Sequence, residues 1–280
     1  MTHIESHLTT QDGLSLRTQA WKPDGEPKAV LVFTHGQGDW SDRYAHAAQA
    51  LSAGGYAMYA YDLRGHGKST GKRGHVNRYD EFLDDLQLVW DWAGSENPGR
   101  KVLLYAHSMG GQITVNFVLR RKPAAHGVML TSPWLKLAFN PPAVQEAVGR
   151  VMNRLLPTFS QSNGIRSGPV DRRSHDLTLL HTLTDPKQEH GLISAREFFE
   201  CQAAGLYVLE HASEFNLPVA VLCGGDDRIA STPASRDFYE RAGSPDKTFK
   251  AYDGMFHEIT NEVDRQVVFK DMLAWLDKRA

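Results

Sequence analysis

The chain has 280 residues, 41% apolar and 23% charged, an ordinary globular mix long enough for a sizeable core. Its 31 lysines and arginines stand against 33 aspartates and glutamates, a formal charge of −2, which gives no electrostatic case for nucleic acid. Two cysteines form no disulfide framework, the thirteen histidines follow no metal-ligand spacing, and no apolar window is long enough to span a membrane.

The N-terminus MTHIESHLTTQDG lacks a basic segment followed by an apolar one, so no secretory leader is expected, and the cysteine usage suits a reducing, cytoplasmic compartment. HIESHLTT and LSLRTQAW flank Asp12-Gly13 and predict a hairpin. KAVLVFTH (28–35) is a continuous apolar run with a polar tip. An Ala-rich segment from Tyr44 to Ala53 ends at Gly54-Gly55, a helix with a glycine stop. YAMYAYDL (56–63) predicts a second buried strand, and residues 79–93 carry apolar side chains at helical spacing. KVLLYAHS (101–108) is a third strand, followed by a helix from Met109 to about Arg121, and HGVMLTSP (126–133) is a fourth strand. Alternation of this kind implies right-handed βαβ units, and strands apolar throughout imply a parallel sheet covered on both faces.

The rhythm breaks between Trp134 and Ser213, where a Pro141-Pro142 pair, a helical segment at 144–157 and another near 194–212 replace the strands. It resumes at LPVAVLCGG (217–225) and TFKAYDG (248–254), and a helix from about Glu262 to Lys278 closes the chain. The division expected is an α/β core, 1–133 and 214–280, with a helical cap at 134–213. Cys223, inside an apolar run, is expected to be a buried thiol.

In such sheets functional groups collect past the carboxyl ends of the strands. There stand His35-Gly36-Gln37-Gly38-Asp39, Asp62-Leu63-Arg64-Gly65-His66-Gly67, Ser108, Asp226-Asp227, and Met255-Phe256-His257. A serine, then an acid, then a histidine in that order fits an α/β-hydrolase triad. Serine is a poor nucleophile until a base within hydrogen-bond reach takes its proton, and histidine titrates in the range that serves both directions. A carboxylate fixes the imidazole tautomer and stabilises the imidazolium, a task open to either Asp226 or Asp227. Asp253 reads as a turn residue, His66 as loop scaffolding, His35 and His107 as packing partners of the loops, and Asp62 and Arg64 as a local pair.

The stretches HGQGDWSDRY, YDLRGHGKSTGKRGH, AHSMGG, TSPW, GGDDRI and GMFHEITNE resemble the serine hydrolases of the monoacylglycerol lipase and bacterial lysophospholipase group, from about Leu31 to the last helix. The resemblance implies an α/β-hydrolase fold, a mostly parallel central sheet with helices on both faces and a helical cap. It implies Ser108 as nucleophile, Asp227 as acid and His257 as base, with the backbone N–H groups of Gln37 and Met109 as oxyanion donors. The family turn usually has glycine where this chain has Ala106, so the turn here could be held slightly differently. The implied activity is a serine carboxylic ester hydrolase without cofactor or metal, of monoacylglycerol lipase type. A lysophospholipase is the alternative, and a non-catalytic binding protein on the same scaffold stands against the intact triad.

In the cap, the apolar residues at 135–159 suit an acyl-chain wall, with Leu155, Leu156 and Phe159 the candidate substrate contacts. Arg150, Arg154, Arg166, Arg172 and Arg173 lend it a basic character compatible with peripheral contact with anionic lipid. The expected partner is an acyl ester, a lipid above all; oligomeric state is not legible.

Overall fold

The computed structural model describes residues 1–164 and 173–280, so Arg166 and Arg172 lie outside the described residues. Eight strands form one sheet: β1 (Thr2–Thr9), β2 (Ser15–Lys22), β3 (Ala29–Thr34), β4 (Tyr56–Tyr61), β5 (Val102–His107), β6 (Val128–Thr131) and, past the insertion, β9 (Val219–Gly224) and β10 (Lys247–Tyr252). Their order across the sheet is β1-β2-β4-β3-β5-β6-β9-β10. The β1–β2 hairpin turns at Asp12-Gly13, and β2 runs antiparallel to both neighbours. From β4 to β10 every pairing is parallel. This is the mostly parallel sheet that the strand–helix rhythm predicts, in the α/β-hydrolase arrangement that the resemblance implies.

Residues of β3, β4, β5, β6 and β9 are buried without exception, which is why those strands read as unbroken apolar runs. Alternate side chains feed two cores. Leu104 and Ala106 of β5 join one core with Phe82, Leu86 and Val89 of α2 (Asp80–Ser95) and Ile113 and Phe117 of α3 (Met109–Arg121). Leu103 and Tyr105 face the other, with Ala48 and Leu51 of α1 (Ala45–Ala53) and Phe269, Met272 and Trp275 of α8 (Arg265–Asp277). Helices on both faces bury a sheet that could not be soluble alone.

The insertion holds α4 (Ala143–Leu155), a ribbon of β7 (Ser160–Ser162) paired antiparallel with β8 (Leu192–Ser194), α5 (Leu177–Thr182) and α6 (Ala195–Glu210). Side chains start these helices: the Asp176 carboxylate accepts the Leu179 N–H, and Ser194 Oγ accepts the Glu197 N–H. Cys201, Ala204 and Val208 of α6 pack into the same core as α3. α7 (Thr232–Arg241) starts at Ser231, with Pro233 in its first turn. Both cysteines are buried thiols, and burial pushes Cys223 up to about 12. Among the described residues no helix is long and apolar enough to cross a membrane.

Candidate active site

The central strand β5 ends at His107, and the chain turns into α3 at Ser108, whose φ of 53° and ψ of −119° lie in a region that L-residues rarely adopt. Three backbone bonds hold it there: Ser108 N–H donates to Thr131 O at 3.0 Å, and Ser108 O accepts the N–H groups of Gly111 and Trp134, both at 2.9 Å. The following glycine is sterically required. A Cβ on Gly110 would lie 2.2 Å from Thr34 O and 2.5 Å from His35 O, because α3 starts against the end of β3. Ala106 needs no such freedom. It is a buried strand residue paired with Thr34 and Leu130, its methyl in the core, so the turn takes its tight geometry from Ser108 and Gly110 instead.

Residues 149 and 30 positions apart in sequence converge on one line. His257 Nε2 lies 2.9 Å from Ser108 Oγ, and His257 Nδ1 lies 2.7 Å from Asp227 Oδ2. The Asp227 side chain is 1% exposed, and its Oδ1 accepts the Ile229 and Ala230 N–H groups at 2.8 and 3.0 Å. Asp226 points to solvent. The geometry therefore separates two acids that the sequence left side by side. Burial pushes the His257 pKa down, but the Asp227 carboxylate opposes it by charge and hydrogen bond and leaves it above its ordinary value.

The loop after β3 runs against the serine: a Cβ on Gly36 would sit 3.0 Å from Ser108 Cβ and 3.5 Å from its Oγ. His35 holds this loop. Its Nε2 accepts the Leu63 N–H at 2.9 Å, so the proton is on Nδ1, which donates to Gly36 O at 2.8 Å. Burial keeps that ring neutral. Among the described residues, no protein acceptor takes the backbone N–H of Met109, next to Ser108 in the chain, or that of Gln37, next to Gly36.

Behind His257 lies a buried ionic chain that sequence reading missed. Arg43 donates to Asp39 Oδ1 at 3.0 Å and to both Glu258 oxygens at 3.2 and 2.7 Å, while Tyr44 O–H donates to Asp39 Oδ2 at 2.7 Å. Burial pushes the Asp39 pKa up; the Arg43 charge and the Tyr44 hydrogen bond outweigh it and bring it to about 2. The i, i+4 spacing of Asp39 and Arg43 was the available signal. Burial, and then His257, hold His107 at about 4, neutral beside the triad. Glu262 forms a second buried node. Its Oε1 accepts the Phe256 N–H at 2.7 Å and pairs with His175 Nδ1 at 3.0 Å, tying the histidine loop to residues 174–175 of the insertion.

These groups open on a cavity of about 390 Å³ that reaches Ser108 and His257. Its lining includes apolar side chains, Trp134, Leu137, Phe139, Phe198, Phe199 and Ile229, and polar ones, Gln37, Asp39, Arg43, Asn163, Arg173 and Glu258. Leu155, Leu156 and Phe159, the expected acyl contacts, do not line it; they are 69, 55 and 55% exposed. On α4 the cavity is met by Gln145, Glu146 and Gly149, so the apolar stripe of that helix faces outward. Among the described residues, no group of histidine, cysteine and carboxylate side chains could hold a metal ion.

The profile of the serine aminopeptidase S33 (Hydrolase_4) family matches residues 25–264. The chain belongs to this family. As a Hydrolase_4 protein it is similar to the human monoglyceride lipase, 32% identical over 98% of this chain and 90% of that one. The monoacylglycerol lipase of Mycolicibacterium smegmatis is 29% identical over 98% and 97%. An uncharacterized abhydrolase domain-containing protein of Dictyostelium discoideum is 31% identical over the whole chain, which spans 29% of its length. Among solved structures, a soluble variant of the Saccharomyces cerevisiae monoglyceride lipase, bound to a substrate analogue, superposes with a TM-score of 0.89 at 22% identity, covering 100% of this chain and 96% of that one. The fold of this Hydrolase_4 protein is thus that of the α/β-hydrolases.

Proposed function

We propose that the protein is a carboxylic ester hydrolase that cleaves monoacylglycerols through an acyl-enzyme on Ser108. The observation that carries the reading is the unbroken line Asp227–His257–Ser108 at 2.7 and 2.9 Å, opening into a cavity lined by both apolar and polar side chains. A non-catalytic scaffold would have no use for a strained serine aligned with a base whose tautomer is fixed. His257 Nε2 takes the hydroxyl proton as Ser108 Oγ attacks the ester carbonyl carbon, and the Gln37 and Met109 N–H groups hold the oxyanion. His257 then gives that proton to the leaving alcohol oxygen. Water, deprotonated by His257, attacks the acyl-serine ester, and the fatty acid leaves as Ser108 recovers its proton. In this reading residues 134–213 are the cap that shapes the cavity, anchored on α3 by α6.

The polar lining supports an uncharged, hydroxylated leaving group. Its two cations are each engaged by carboxylates, Arg43 by Asp39 and Glu258 and Arg173 by Glu189. A lysophospholipid phosphate would meet cations whose charge is already balanced by carboxylates, and displacing one of those partners would cost several kcal/mol, about 3–5 when one member of a buried pair is removed. The human and mycobacterial relatives, by their names, act on monoacylglycerol.

Peripheral contact with lipid surfaces is supported by α4, whose Val144, Val148, Val151 and Leu155 form an exposed apolar stripe continued by Leu156 and Phe159. Charge contributes less than the arginine count suggests: Arg150 pairs with Glu146, and Arg173 is buried with Glu189. The test is a side-by-side assay on 1-monoacylglycerols, lysophosphatidylcholine and p-nitrophenyl esters of increasing chain length. The reading requires kcat/KM for monoacylglycerol to exceed that for the lysophospholipid by at least about tenfold, and the reverse order would sink it.

A further inference from the structure

An oxyanion donor at position 37 needs only a backbone N–H, yet the side chain there is engaged at both ends. Gln37 Nε2 donates to Leu192 O of β8 at 2.6 Å, and Gln37 Oε1 accepts from Asn163 Nδ2, just past β7, at 2.5 Å. Two further backbone bonds fasten the ribbon, His190 N–H to Gly38 O at 3.4 Å and Ser194 N–H to Gly74 O at 2.7 Å, while Asn163 N–H closes the ribbon on Gly191 O at 2.7 Å. Contact is close enough to exclude side chains: a Cβ on Gly38 would lie 2.3 Å from His190 O, and one on Gly74 2.1 Å from Leu192 O. Ile193, Ser194, Gln161 and Asn163 of the same ribbon line the cavity, and Ser194 caps α6, which brings Phe198 and Phe199 to its wall.

We propose that the Gln37 side chain is a positioning residue that couples the β7–β8 ribbon to the oxyanion hole. Gln37 lies between two glycines, Gly38 with a φ of 73°, and its N–H shares a peptide with Gly36 O, which His35 Nδ1 holds at 2.8 Å; the Cα side of that peptide, where the Gln37 side chain leaves, has the freedom left to restrain. Two hydrogen bonds from one amide, to a backbone carbonyl and to a side chain on the other strand, remove that freedom while the ribbon is seated. An ester that fills the cavity touches the ribbon and the hole together. Its binding is thereby converted into alignment of the donor that stabilises the transition state, an effect that appears in kcat rather than in KM.

The inference rests on the reading of the Gln37 N–H as an oxyanion donor, and its test separates the two. Gln37→Ala keeps the N–H and removes both tethers; Asn163→Ala removes one from the ribbon side and leaves the oxyanion loop unaltered. Deleting an oxyanion donor outright costs about 10²–10³ in kcat, so loosening one is expected to cost about tenfold. In Gln37→Ala, kcat on a monoacylglycerol and the affinity for an alkyl boronic acid, which forms a tetrahedral adduct on Ser108, should fall together by about that factor. KM should stay within about twofold. Asn163→Ala should move both in the same direction, and the double variant should be no worse than Gln37→Ala alone, since the two share one interaction. A purely structural role would lower the melting temperature without moving the boronate affinity. Gln37→Ala at the wild-type level in both readouts, or additive losses in the double variant, would overturn the coupling while leaving ester hydrolysis intact. A wild-type enzyme without ester turnover would overturn both.

Discussion

Replacing Asp227 by Asn probes the site at its most constrained atom. Oδ1 of Asp227 is fixed by the Ile229 and Ala230 N–H groups, which an asparagine carbonyl oxygen also satisfies. That choice forces the asparagine NH₂ toward His257 Nδ1, 2.7 Å away in the wild type. Two donors cannot face each other, so the ring must put its proton on Nε2, where it points at Ser108 Oγ and can no longer accept the serine proton. The size and burial of the side chain are unchanged, so folding should be nearly unaffected. The expected loss in kcat is about 10⁴-fold, as for a triad whose imidazole is held in the wrong tautomer, or about 5.5 kcal/mol of transition-state stabilisation. KM on p-nitrophenyl butyrate should stay within about threefold. The assay is steady-state hydrolysis across pH 5–9, with Asp226→Asn as control. Because its pKa is raised, wild-type His257 gains its basic form, and kcat/KM its acid-side inflection, above 6.5. Asp227→Asn activity within about tenfold of wild type, or a larger loss at the exposed Asp226, would refute the reasoning.

Gly110→Ala should be tolerated poorly. Its methyl would enter 2.2 Å from Thr34 O, so overpacking of about 2 kcal/mol should lower the melting temperature by about 5 °C and slow fluorophosphonate labelling of Ser108; an unchanged melting curve and labelling rate would contradict the crowding. Glu197 is fully buried in α6, neither oxygen has a hydrogen-bond partner among the described residues, and burial raises its pKa to about 8. A raised folded-state value stabilises the fold below about pH 4.5 and loses that contribution as pH climbs toward 8, by on the order of a few kcal/mol. Denaturant titrations should therefore show Glu197→Met gaining on wild type between pH 5 and 8.5, and a difference independent of pH would exclude the buried neutral carboxyl.

The inner strands β3, β4, β5, β6 and β9 were legible because both of their faces are covered, and the polar groups at the strand ends then pointed to Ser108, His257 and the Asp226–Asp227 pair, of which the family resemblance implied Asp227. β10 is half exposed and alternates, yet its length sufficed. Helix α7 escaped because Ala234 and Phe238 are its only buried apolar residues, too few for a visible stripe. β7 and β8 are three residues each and leave no periodicity. The misplaced acyl contacts have a more instructive cause. A helix with one apolar face is ordinarily seated on that face, but α4 presents its stripe to solvent and turns Glu146 and Gly149 inward. Periodicity identifies a face; only tertiary packing says what covers it. The same limit hid the Arg43–Glu258 pair, whose partners are 215 residues apart, and the Gln37 tethers to the ribbon.

The central claim is that Ser108, deprotonated by His257, forms an acyl-enzyme on a lipid ester. The direct measurement is monoacylglycerol turnover during titration with a fluorophosphonate, with intact-mass and peptide mapping of the adduct, beside the Ser108→Ala variant. The account predicts activity lost in proportion to a single label on Ser108, and a fall in kcat of at least about 10³-fold in Ser108→Ala. A label on another residue that abolishes turnover, or Ser108→Ala activity within about tenfold of wild type, would contradict it.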